Sequence, residues 1–207
     1  MSVVSWSLCQ YSRQILINEC ESLMEIFETQ GINNNDGGGS STNIDEGNNG
    51  TNTTTMVIPR VDNINMPQLS ILEKLVITFC NLLQHVFIFS TLESLTHLKE
   101  LMLKECEEKK VIVKKENGQQ RKVEFPCLKS LELHNLPNLE GFFLGTNAFE
   151  WPLLEKVVIS KCPQMIVFTY GLSTTPKLKY IHTSLGKHSL ECGLNFHETM
   201  NLHQVNL

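Results

Sequence analysis

Aspartate is scarce in this 207-residue chain: Asp36, Asp45 and Asp62 are all in or just after a tract rich in Asn, Gly, Ser and Thr. A Ser-His-Asp arrangement therefore lacks a third member on any patterned stretch, and no G-x-S-x-G motif occurs. The cysteines (Cys9, Cys20, Cys80, Cys106, Cys127, Cys162, Cys192) are odd in number, widely spread and free of any C-x-x-C pair. That spacing argues against both a disulfide framework and a zinc site. Among the histidines there is no H-E-x-x-H, and the His197-Glu198 pair has no second histidine at that motif's spacing. Gly186-Lys187 fails as the end of a phosphate-binding loop, because Ile181 and His188 stand where Gly and Ser or Thr are needed. Gly37-Gly38-Gly39 has no following Lys and reads as linker. No cofactor, no metal and no enzymatic activity are expected.

Long apolar runs are missing as well. The longest, around Phe79 to Phe89, is broken by Asn81, Gln84 and His85, so a membrane span is not expected. Met1 to Leu8 has neither a basic region nor an apolar run of signal-peptide type, which places the chain in the cytoplasm as an expectation. Asn49 and Asn52 are glycosylation acceptors in form, but their Asn/Thr-rich surroundings produce such matches by chance. A net charge of -5 offers no general attraction for phosphate backbones, so nucleic acid is not an expected partner.

What is present is a period. Leu72, Leu75, Ile77, Cys80 and Leu83 fit L-x-x-L-x-[LI]-x-x-[NC]-x-x-L, closing on Val86-Phe87. Leu98, Leu101, Leu103 and Cys106 repeat its first part, and Leu128, Leu131, Leu133, Leu136 and Leu139 repeat it again, closing on Phe142-Phe143. Leu154, Val157, Ile159, Cys162 and Met165 follow, with Phe168 in the closing position. A weaker unit (Ile15, Ile17, Cys20, Leu23, Phe27) precedes them with Ser12 in its first leucine position, and a degenerate one starts at Leu178 and Ile181 and fails at Thr183. This is the signature of an α/β repeat fold, a leucine-rich-repeat solenoid with short parallel strands on the concave face and irregular or helical turns on the convex face. Cys20, Cys80, Cys106 and Cys162 take the position of a small buried side chain, where free cysteine is inert.

Two irregularities set the expected organisation: a partial N-terminal repeat over 1–30, a flexible loop over 31–62, a repeat array over 63–185 and a C-terminal tail over 186–207. The Asn/Gly/Ser/Thr-rich loop has almost nothing to bury and divides the array. Within the array, Val111-Ile112-Val113 and Val123-Glu124-Phe125 flank a polar stretch containing Asn117-Gly118, which predicts a protruding hairpin over 111–125. Lys109, Lys110, Lys114, Lys115, Arg121 and Lys122 alternate with Glu107, Glu108, Glu116 and Glu124, and read as its solvated surface.

The residues between the leucines point away from the core and line the concave sheet. They are Glu73, Lys74, Val76, Thr78 and Phe79, then Lys99, Glu100, Met102, Lys104 and Glu105. Lys129, Ser130, Glu132, His134 and Asn135 follow, then Glu155, Lys156, Val158, Ser160 and Lys161. Single apolar residues within a charged field suit protein recognition.

The blocks Met66-Pro67-Gln68-Leu69, Leu72 to Cys80, Phe87 to Leu103 with Thr91-Leu92-Glu93-Ser94-Leu95, Phe125-Pro126-Cys127-Leu128 and Leu178-Lys179-Tyr180-Ile181-His182 add a further signal. They resemble the C-terminal repeats of plant intracellular nucleotide-binding leucine-rich-repeat disease-resistance proteins of the coiled-coil class. The resemblance implies a part in pathogen sensing. Its partners would be a pathogen effector or a guarded host protein, and a nucleotide-binding domain held inactive by the repeats. The chain carries no coiled-coil or nucleotide-domain motif, and Ser12 with its short flank reads as a start inside the array, so a fragment of a longer receptor is expected. The alternative is a stand-alone adaptor, such as the substrate receptor of a ubiquitin ligase.

Overall fold

The computed structural model describes residues 13–20, 26, 66–116, 121–190 and 194. The first strand is β1 (Gln14–Asn18). A short helix, α1 (Met66–Ile71), leads into β2 (Lys74–Thr78), β3 (Phe87–Ile88) and a 3-10 turn over Phe89–Ser94. The next turns are β4 (Glu100–Lys104), β5 (Val111–Lys114) and β6 (Val123–Glu124), then β7 (Ser130–His134), β8 (Gly141–Phe143) and β9 (Phe149–Glu150). After them come β10 (Lys156–Ser160), β11 (Val167–Thr169) and β12 (Ser173–Thr174), and finally β13 (Tyr180–Thr183) and β14 (Gly186–Ser189).

Among the described residues these strands form three sheets: seven strands in the order β1-β2-β4-β7-β10-β13-β14, four as β11-β8-β5-β3 and three as β12-β9-β6. All pairings are parallel except the last, where β14 turns back on β13. Each turn of the expected solenoid is thus a long strand followed by short strands on the return path. The return path carries sheets where irregular or helical turns were expected, and among the described residues helix is confined to α1 and the 3-10 turn.

In the long strands every second residue is a buried aliphatic, so one face packs into the core and the other does not. Leu75 and Ile77, Leu101 and Leu103, Leu131 and Leu133, and Val157 and Ile159 all point into one core. Opposite them aromatic residues of the return path pack in register: Phe142 stacks on Phe168 at 5.0 Å, and Phe125 on Trp151 at 4.6 Å, each pair within 2° of parallel. Cys20, Cys80, Cys106 and Cys162 are buried free thiols, each donating to the carbonyl two residues before it, at 3.3 to 3.6 Å. Burial pushes the Cys80 thiol up to about 12 and Cys162 to about 11, and raises Cys20 and Cys106 as well.

Four expectations are corrected. The 31–62 loop lies outside the described residues, but it does not divide the array: β1 pairs with β2 in register from Gln14↔Lys74 to Asn18↔Thr78. The hairpin over 111–125 does not form. Val111–Lys114 pairs with β3 and β8, and Val123–Glu124 pairs with β9 in a different sheet, because each apolar run finds its counterpart in the adjacent turns; Asn117-Gly118 lies outside the described residues. The expected tail begins with a strand, since Gly186–Ser189 closes the main sheet against Tyr180–Thr183. Asn49, Asn52 and the three aspartates also lie outside the described residues.

Lys109 is the fourth. It is not solvated: it has no exposed surface and donates to the Leu83 carbonyl at 3.0 Å. It stands in the column of Leu83, Leu139 and Met165, a core column, so the backbone carries its side chain inward regardless of charge. Burial, opposed by the nearby Cys106 and Cys80, lowers its pKa to about 8.

Two outcomes are expected. A Cβ on Gly171 would lie 1.9 Å from the Asn147 carbonyl oxygen, a backbone atom. Gly171→Ala should therefore cost about 1–3 kcal/mol in denaturant unfolding, the range for forced overpacking. Lys109→Met should stabilise the protein by on the order of 1–3 kcal/mol at pH 7, because a buried charge is replaced by an apolar side chain of similar length. Between about pH 8 and 10.5 the unfolded lysine holds a proton that the folded one has lost, so wild-type stability gains with rising pH in that window. The advantage of Lys109→Met should shrink across the same window. The raised thiols work in the opposite direction above pH 9, which is why the two proteins are compared with each other.

Candidate functional site: the outer face of the main sheet

Because every long strand pairs in register with the next, the outward residues form rows that run across the strands. One row is Leu16, Val76, Met102, Glu132, Val158 and His182. On one side of it runs Gln14, Lys74, Glu100, Ser130 and Lys156, and on the other Asn18, Thr78, Lys104, His134 and Ser160. Glu73, Lys99, Lys129 and Glu155 form a leading row before the strands, joined by backbone bonds of 2.7 to 2.9 Å from each N–H to the carbonyl of the preceding row member. Phe79, Glu105, Asn135 and Lys161 form a trailing row after them.

The trailing row has an unusual backbone. Glu19, Phe79, Glu105, Asn135 and Lys161 all have φ between 49° and 54°, the left-handed region. Each immediately precedes the cysteine column, where Leu136 replaces cysteine in one turn. The geometry swings the chain out of the strand while its N–H still reaches the next turn: Glu19 to Thr78 O, Phe79 to Lys104 O, Glu105 to His134 O and Asn135 to Ser160 O, at 2.8 to 3.1 Å. For Lys161 the acceptor is the Ser184 hydroxyl at 2.9 Å, supplied by the turn of the closing hairpin.

The expected recognition residues therefore share one face, and the structure shows how their charges are arranged. Lys74 pairs with Glu100 at 2.6 Å, Lys99 with Glu73 at 2.8 Å and Lys156 with Glu132 at 2.6 Å. Arg13 completes a pair of cations on Glu73, and Asn135 donates to Glu105. Hydrogen bonds from Lys99 and then Arg13 hold the Glu73 carboxyl down at about 2. For Glu132, burial acts to raise the pKa, but the bonds from Lys156 and His134 prevail and lower it. Thr78 bonds Asn18 at 2.5 Å, and Ser160 meets Ser184 at 3.2 Å. Lys104, Lys129, Glu155 and Lys161 are exposed.

Against these paired charges, the apolar members stand out. Val76, Met102 and Val158 are half-buried, and Phe79 is 48% exposed. Leu16, 46% exposed, heads the same row as Val76 and Met102 and was missed in the sequence. The signal for it was there: Ile15 and Ile17 mark the flanking core positions, so Leu16 has to face outward.

Among the described residues no group of three His, Cys, Asp or Glu is placed to hold a metal, and no helix is long and apolar enough to cross a membrane. A family model for plant disease resistance protein RPS2-like leucine-rich repeats matches residues 48–183. The chain belongs to this family. Comparisons with curated proteins and with solved structures returned no match. As leucine-rich repeats of the plant disease-resistance class, the array is a recognition module associated with defence.

The depressed Glu73 carboxyl contributes stability above its ordinary range, and this contribution is lost as pH falls from about 4.5 toward 2. Glu73→Gln should therefore lower the melting temperature at pH 6, with the gap to wild type closing as the pH is taken down to 3, as followed by circular dichroism.

Proposed function

We propose that the outer face of the main sheet binds a protein, either a pathogen effector or a host protein that an effector modifies, and that it does so inside the cell. The observation that carries this reading is the row Leu16, Val76 and Met102. Three apolar side chains on adjacent strands, Leu16 exposed and Val76 and Met102 half-buried, lie in a face whose charged neighbours are largely paired with one another. Paired charges cost less to cover than lone ones, and an apolar centre within a polar surround is the composition of a protein-binding patch. Phe79 extends it toward the trailing row. In this reading the repeats also restrain the nucleotide-binding domain of a full receptor, and partner binding releases that restraint.

Proximity labelling in leaf cells exposed to a pathogen, followed by titration calorimetry with the purified partner, tests the proposal. A Val76→Glu/Met102→Glu variant should weaken binding at least tenfold, about 1.4 kcal/mol, while its circular dichroism spectrum and melting temperature stay close to wild type. A partner that binds this variant as tightly as wild type would place recognition on another surface.

A further inference from the structure

Cys20, Cys80 and Cys106 occupy one column in three successive turns, two residues beyond the paired positions Asn18, Thr78 and Lys104. The turns have not separated at that point. Glu19 N–H still bonds Thr78 O at 3.0 Å, and Phe79 N–H bonds Lys104 O at 3.1 Å. Neighbouring strands lie about 4.8 Å apart, inside the Cα separation of about 4.4–6.8 Å that a disulfide spans. All three thiols are free and buried. The Cys20 and Cys80 thiols also stand alike, donating to the carbonyls of the paired residues Asn18 and Thr78.

We infer that Cys20 and Cys80 form an oxidative modification site, which closes to a disulfide when hydrogen peroxide or a related hydroperoxide reaches the chain. The balance is simple. The Cys20 sulfur gives two electrons to the peroxide, whose O–O bond breaks; one oxygen stays as Cys20 sulfenic acid and the other leaves as water. The Cys80 thiolate then attacks the Cys20 sulfur, the S–S bond forms, the S–O bond breaks, and the sulfenic hydroxyl departs as a second water with the proton that Cys80 gave up. Two thiols and one peroxide thus yield one disulfide and two waters.

The column offers a second pair, Cys80 with Cys106, and the sheet order decides between them. β2 and β4 are each held by a hydrogen-bonded strand on both sides, whereas β1 is the edge strand among the described residues. Only an edge strand can move sideways to bring the sulfurs to bonding distance without breaking a ladder on its far side, and edge strands open most readily. The same opening admits the oxidant. Burial keeps both thiols protonated in the docked turn, so oxidation follows the loosening of β1 and the bond traps the redocked turn. The bond also closes the chain between residues 20 and 80 into a loop, which removes conformational freedom from the unfolded state and stabilises the folded one.

The test treats the full chain with hydrogen peroxide at neutral pH, blocks remaining thiols with iodoacetamide and maps non-reduced peptides by mass spectrometry. The expected main disulfide joins Cys20 to Cys80, is removed by dithiothreitol, and raises the melting temperature by several degrees. Cys106→Ser should retain it and Cys20→Ser should lose both the bond and the gain. The wild-type map stands even where a serine variant folds poorly. An absence of intramolecular disulfide, a main product joining other cysteines, or a Cys20–Cys80 bond that leaves the melting temperature unchanged or lower would overturn the inference.

Discussion

A parallel strand satisfies its backbone only against a neighbour, and in this array that neighbour is always the adjacent turn in the same register. Each residue consequently sits one strand spacing from its counterpart, about 4.8 Å away. Like then stacks on like, and whatever occupies a column must tolerate its own repetition. Leucine, cysteine and phenylalanine do so by contact, which is why Phe142 and Phe168 lie face to face, and Phe125 and Trp151 likewise. Charge does not. On the outer face the solution is alternation along a row: Glu73 lies between Arg13 and Lys99, and Lys74 lies beside Glu100. Where two lysines do adjoin, at Lys99 and Lys129, Lys99 turns instead toward Glu73. A more exposed pair such as Lys74–Glu100 adds little to stability; the effect of the pairing is to leave few isolated charges on the surface a partner would cover.

The same constraint explains the strained residue at the end of each long strand. To leave the sheet while staying bonded to the next turn, the chain enters the left-handed region, which costs on the order of 1 kcal/mol for a residue with a Cβ. Of Glu19, Phe79, Glu105, Asn135 and Lys161, only Asn135 is of a type that adopts it readily. The cost recurs in every turn because it is offset in every turn: an N–H bond to the next strand, and a small or apolar side chain in the following column that fills the corner. Cysteine suits that corner because its thiol also takes up the carbonyl two residues back. The closing hairpin obeys the rule by substitution, with the Ser184 hydroxyl standing in for the strand that does not follow.

Much of this was legible in the sequence because the column rule is written there as a period. The long strands, the buried leucines, the buried cysteines and the outward positions all follow from L-x-x-L-x-L and its spacing. The failures share one cause, a local signal set against a distant partner. Val111-Ile112-Val113 and Val123-Glu124-Phe125 are as suitable for pairing with adjacent turns as with each other, and nothing within the segment itself distinguishes the two; the solenoid supplies the nearer partner. Lys109 carries a charge that reads as surface, yet its column is that of Leu83, Leu139 and Met165, and the column prevails. Leu16 was missed for a different reason: its unit is a weak one with Ser12 in the first leucine position, although Ile15 and Ile17 flank Leu16 as Leu75 and Ile77 flank Val76.

The position of the apolar row within the array carries a consequence of its own. In a solenoid, stability is a sum of turns and nearest-neighbour interfaces, so a turn held on one side is less secure than one held on two. The main sheet is closed at its far end, where β14 pairs with β13 and Lys187 lies 4.7 Å over the Tyr180 ring. Its other end among the described residues is β1, and there Leu16 begins the row that continues through Val76 and Met102. Leu16, the most exposed apolar member of that row, thus lies at the less secured end. A partner that covers Leu16 and Val76 together would bridge β1 and β2 and add to the interface that holds the first described turn. Binding there and ordering of the first turn are then one equilibrium, because a ligand that favours the docked turn stabilises it by its own binding free energy.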